Sequence, residues 1–173
     1  MTAFKNSLTR RFETLDLGGR TWILGIKVKH DWISRIISLS QAVCIDSIVK
    51  RFNFATAPPL QTPIDPNIKA SKEQPPATQE QTDDIRNAPY REATGLLMHA
   101  AIETRPYITF AVTLLSQYLQ NPDRPHWEQA KCVIRYLKGT RDHELKFGPT
   151  GDVEGFSDAN WGNDTDDHRS ICR

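Results

Sequence analysis

Residues 57–89 constrain this chain more than any other stretch. The run APPLQTPIDPNIKASKEQPPATQEQTDDIRNAP carries seven of the chain's eleven prolines and little apolar material. Proline has no amide proton for a helix or ladder bond and fixes φ. A stretch this polar also cannot bury enough surface to offset the entropy of ordering it. It reads as a loop-like linker with an anchor near Ile64, leaving any core to the segments on either side.

Hydrophobic spacing gives those segments their elements. Phe4, Leu8 and Phe12 recur every four residues, so residues 3–14 read as a short amphipathic helix stopped at Gly18-Gly19. RTWILGIKVK, rich in tryptophan, isoleucine and valine, reads as one strand, and RIISLS as its hairpin partner. Gly25 inside the first strand suggests a bulge or a close backbone approach. Ser40 is the expected N-cap of a helix ending near Phe52, with Cys44, Ile45, Ile48 and Val49 facing inward. Beyond the linker a helix runs from about Tyr90 to Glu103. Thr104-Arg105-Pro106 breaks it and starts another to Leu119. A third begins at Pro125 and closes on Gly139 as the residue after the cap. Leu97, Ile108, Val112, Leu115, Trp127, Ile134 and Leu137 form the expected core of these three helices. ELKF and VEGFSDA then read as two strands of a hairpin, with the acidic end 162–173 expected to fray.

The bulk numbers exclude several classes. At 173 residues, 38% hydrophobic and 25% charged, the chain suits one domain, or a domain with a stub. No apolar run approaches a membrane span. Three cysteines without Cys-x-x-Cys spacing fit reduced thiols and an intracellular setting, cytoplasmic or nuclear. The net charge of +1 hides an uneven layout. Residues 1–51 hold nine Lys/Arg against four Asp/Glu, while residues 151–173 hold two against six. A basic front suits phosphate contact and an acidic tail suits a carboxylate metal site, although a solvated surface has the same composition.

Four blocks, in order, carry a resemblance. They are FKNSLTRRFETLDLGGRTWILGIKVKH, ISLSQAVCIDSIVKRFNF with TPID, PYREATGLLMHAAIETRPYITFAV, and LSQYLQNPDRPHWEQAKCVIRYLKGT continuing to GFSDANWGNDTDDHRS. They resemble the Pol polyproteins of copia-type LTR retrotransposons, at the junction where the reverse transcriptase ends and RNase H begins. The resemblance implies an α+β fold: a β-hairpin plus a thumb-like helical bundle, ending in the first strand or strands of an incomplete RNase H-like domain. It divides the chain into 1–56 (end of the palm, primer-grip hairpin and following helix), 57–89 (linker), 90–143 (thumb or connection helices) and 144–173 (start of RNase H).

The parent enzyme implied is an RNA-directed DNA polymerase with RNase H activity, using Mg2+ or Mn2+ in two-metal chemistry. The polymerase's Tyr-x-Asp-Asp hairpin has no match here. The Asp-Asp pairs, Asp83-Asp84 and Asp166-Asp167, sit in polar loop sequence. Matching the family's Ser-Asp-Ala strand, Asp158 takes the position of the first RNase H ligand, a catalytic position that alone binds metal weakly. The family's next aspartate is Asn160 here, and the aspartate of its Thr-Arg-Pro-Asp block is Tyr107. The strand around Gly25 matches the primer grip, with Arg10, Arg11, Lys27 and Lys29 as phosphate contacts.

The chain is therefore expected to be a catalytically silent fragment that binds no metal tightly. Its expected partners are RNA–DNA hybrid or primer–template, weakly held, and intact Pol, with no membrane. A retained nucleic-acid- or Pol-binding module and a decayed open reading frame are the alternatives.

Overall fold

A computed structural model of the chain describes residues 2–14, 19, 21–65, 88–149, 159–160 and 171–172. Helix α1 (Thr2–Arg11) precedes strands β1 (Trp22–Ile23), β2 (Ile26–Asp31) and β3 (Ile36–Ser40), which lead into α2 (Ala42–Arg51). After the proline-rich run come α3 (Tyr90–Glu103), a 3-10 turn (Pro106–Ile108), α4 (Thr109–Ser116), α5 (Arg124–Gly139) and β4 (Leu145–Phe147). The four strands form one antiparallel sheet in the order β1-β2-β3-β4. β5 (Ala159–Asn160) and β6 (Ile171–Cys172) pair as a separate short ladder, so the tail expected to fray carries a paired strand. The fold class is α+β.

The hairpin differs from its sequence pattern in one place. RTWILGIKVK is not a single strand, because the chain turns at Leu24-Gly25, with Ile23 opposite Ile26. Both turn residues have positive φ, 50° and 81°. That pair of angles suits a two-residue hairpin, whose twist matches that of its strands. Glycine enters this region freely, whereas Leu24 does so at a steric cost. Gly25 is thus a turn residue, not a bulge within a strand.

β4 pairs with β3, in register Leu39↔Leu145 and Ile37↔Phe147. Sequence proximity does not suggest this partner, and an isolated hairpin with the following segment would be marginal. Joining a strand that is already paired on its other edge satisfies the backbone more securely.

Four helices share one core. Ile45, Ile48 and Val49 of α2 pack with Tyr90, Leu97 and Ala100 of α3, with Ile108, Val112 and Leu115, and with Ala130, Val133, Ile134 and Leu137 of α5. The core therefore extends beyond residues 90–138 to take in α2. Trp127 stays half-buried, edge-on to Phe52 at 6.2 Å. Two caps also differ from expectation: Gln41, not Ser40, is the N-cap of α2, and Gly139 is the last helical residue of α5, capped by Thr140. A Cβ on Gly139 would lie 3.0 Å from the Pro59 side chain and 3.5 Å from the Leu60 carbonyl oxygen. The glycine serves a crossing of chains rather than a left-handed turn.

That crossing belongs to a strap. Residues 55–65 run along α5, where Lys138 Nζ donates to the carbonyls of Ala55 and Ala57, both at 2.7 Å. Arg135 Nε donates to the Pro58 carbonyl at 2.8 Å, and Gln129 exchanges two hydrogen bonds with the Asp65 backbone. Ile64 packs against the core.

Candidate nucleic-acid interface

Strand register decides which charges meet. Trp22 lies opposite Lys27, and Lys27 opposite Ser40. Lys29 lies opposite Ser38, and Ser38 opposite Lys146. Directly opposed residues point to the same side of a sheet, so three lysines and a tryptophan share one face. Trp22 is 47% exposed, and Ser38 and Ser40 are buried. Where this face meets the start of α2 and the turn after α5, a cleft of about 370 Å³ opens. Trp22, Lys27, Lys29, Val43, Arg141 and Glu144 are among the residues that line it.

Several of these charges are paired. Lys29 Nζ lies 2.6 Å from Glu144 Oε1, and Lys29 is the main cause holding the Glu144 carboxyl below its usual range. Arg141 makes a forked pair with Asp46, both contacts at 2.6 Å, and also reaches Asp142 at 2.5 Å. Hydrogen bonding from Arg141 lowers the pKa of Asp46. In compensation, Arg141 stays firmly protonated.

Of the residues singled out from sequence, Lys27 and Lys29 come together in the cleft. Gly25 sits in the adjoining hairpin turn, with open space where a Cβ would stand. Arg10 and Arg11 stand exposed on the last turn of α1, and neither lines the cleft. Asp158 lies outside the described residues. Nothing in the sequence marks Lys146, Arg141 and Glu144 as site residues, because only the β3–β4 pairing brings this stretch to β2. The alternation in ELKF was the available signal, lacking a partner to orient it.

The resemblance motifs themselves lead to a buried polar junction. Gln41 of the LSQ block is 1% exposed, and its Oε1 accepts from Thr104 Oγ1 at 2.6 Å. Arg105, fully buried, donates to the carbonyls of Thr140 and Arg141 at 2.9 and 2.8 Å and to the Tyr107 hydroxyl at 2.7 Å. One guanidinium thereby satisfies the carbonyls left open after α5. Tyr107, standing where the family has aspartate, gives Arg105 a neutral acceptor. At the other end of α3, Tyr90 donates its hydroxyl to the Leu115 carbonyl at 2.7 Å. Burial raises its pKa. Thr104-Arg105-Pro106, a helix break in sequence, is also an anchor.

Among the described residues no three His, Cys, Asp or Glu side chains gather as a metal site, and no helix is long and apolar enough to cross a membrane.

No protein-family model and no solved structure matches the chain. Its similarity is to transposon polyproteins. It is 38% identical over 167 residues to the Retrovirus-related Pol polyprotein from transposon TNT 1-94 of Nicotiana tabacum, covering 96% of this chain and 13% of that protein. With the corresponding polyprotein from transposon RE2 of Arabidopsis thaliana the identity is 35%, covering 95% of this chain and 11% of that protein. An uncharacterized mitochondrial protein of Arabidopsis thaliana is 28% identical over 94% of this chain and 65% of its own length. The chain is thus a retrotransposon-derived segment, spanning a small part of the polyproteins it matches. Over nearly its whole length it is similar to the Pol polyproteins of copia-type transposons.

Proposed function

We propose that this segment grips the backbone of an RNA–DNA hybrid or primer–template without performing chemistry on it. The reading treats it as the end of a reverse transcriptase running toward RNase H. The observation that carries it is the shared face of Trp22, Lys27, Lys29 and Lys146. Lysines on one sheet face can follow a phosphate backbone, and an exposed tryptophan at the edge offers a surface for stacking.

Two-metal chemistry does not fit the carboxylates beside the cleft. Asp46 and Asp142 are engaged by Arg141 and Glu144 by Lys29, so none is presented with others as a ligand set. No primer extension on an RNA template is expected with magnesium or manganese.

Fluorescence anisotropy with a labelled RNA–DNA hybrid tests the grip. Binding is expected to be weak and to fall as salt rises, with a slope of about −0.9 per phosphate contacted. Replacing Lys27, Lys29 and Lys146 together with alanine should flatten that slope by about two to three. An affinity indifferent to salt and to the triple replacement overturns the reading.

A further inference from the structure

In the lysine face a carboxylate already occupies the place that a phosphate would take. Glu144 Oε1 sits 2.6 Å from Lys29 Nζ, and the Glu144 side chain is 18% exposed where that of Lys29 is 56% exposed. Lys146 and Lys27 also act on this carboxyl, in the same direction as Lys29. The position is not left to a flexible loop. Glu144 directly precedes β4, whose register with β3 is set by Leu39↔Leu145. The preceding turn is held by Arg105 through the carbonyls of Thr140 and Arg141. Carboxylate and phosphate oxygens make the same demand on an ammonium group: each accepts its protons and neutralises its charge.

We propose that Glu144 is a built-in competitor for nucleic-acid phosphate at Lys29. This rests on the lysine face being the binding face. A phosphate entering the cleft takes Lys29 from Glu144, and the freed carboxylate turns to solvent. The chain thereby weakens its own grip, most of all at low ionic strength, where the ion pair is least screened. The ammonium side of the pair is open to solvent, so the competitor is weak enough to be displaced. Its removal should tighten binding by no more than about fivefold.

The test uses the full chain and a labelled RNA–DNA hybrid at low salt, comparing the wild type with Glu144→Gln, Lys29→Ala and the double replacement. Glu144→Ser is carried as a second variant, and circular dichroism verifies that each protein is folded. Glu144→Gln is expected to bind about two- to fivefold more tightly. On the Lys29→Ala background that gain should vanish, because no ammonium remains to be released. Unchanged affinity in both Glu144 variants overturns the proposal. So does an equal gain with and without Lys29, which would mark a general charge effect. Absence of binding by every protein removes the nucleic-acid reading beneath it, a result distinct from either.

Discussion

The helical half and the sheet half of this molecule hold themselves together differently. In the helices, Leu97, Ile108, Val112, Ile134 and Leu137 are all at 0% exposure, and the polar groups among them are paired across elements. In the sheet, Ile23 is 52% exposed and Phe147 54%, although each lies on the apolar side of its strand. Among the described residues the helices form a closed core, while the sheet keeps one face of charges and another on which Ile26 is buried but Ile23, Ile37 and Phe147 stay exposed. Stability in such a chain should concentrate in the helices, and sensitivity to salt and partners in the sheet.

The difference is open to direct attack. Leu97→Ala should cost about 3 kcal/mol, because a fully buried leucine leaves a cavity that the surrounding helices cannot close. Phe147→Ala should stay under about 1 kcal/mol, since half of its ring already faces water. Urea denaturation of the two variants measures both, and equal losses would mean that the sheet contributes to the same core.

Arg105→Met separates polar anchoring from packing. It keeps most of the volume and leaves the Thr140 and Arg141 carbonyls without their donor, at an expected cost of about 2 kcal/mol. A neutral result, read from the shift in thermal midpoint, would make the guanidinium dispensable and the junction merely a filled space.

Leu24→Asn sharpens the other side. The left-handed angle that Leu24 adopts suits asparagine better, and Asn-Gly favours this hairpin turn, so stability should rise by about 0.5–1 kcal/mol. A loss would show that the leucine side chain, 87% exposed, has a packing role.

Much of the secondary structure was readable because local periodicity reports local structure. α3 runs from Tyr90 to Glu103 as its spacing predicts, and α2 ends within a residue of Phe52. Local signals also misled where two explanations share one residue type. Gly25 within an apolar run looks the same as a bulge or as a turn, and Gly139 the same as a cap or as a crossing point. Arg105 beside a proline looks like a break, because nothing in the nearby residues announces that the carbonyls of Thr140 and Arg141 will need a donor.

The sequence by itself determined the kind of protein this is. Four ordered blocks and the placement of prolines, glycines and apolar spacing tied it to a transposon polyprotein and set out its helices. Tertiary structure alone decided which charges share a surface. Lys29, Glu144 and Lys146 meet only because β4 pairs with β3, and a one-residue shift in that register would carry Lys146 to the opposite face. Periodicity along the chain says which residues share a side of one strand. The partner and register that join that side to another strand are set by long-range pairing, which the sequence of either strand alone does not contain.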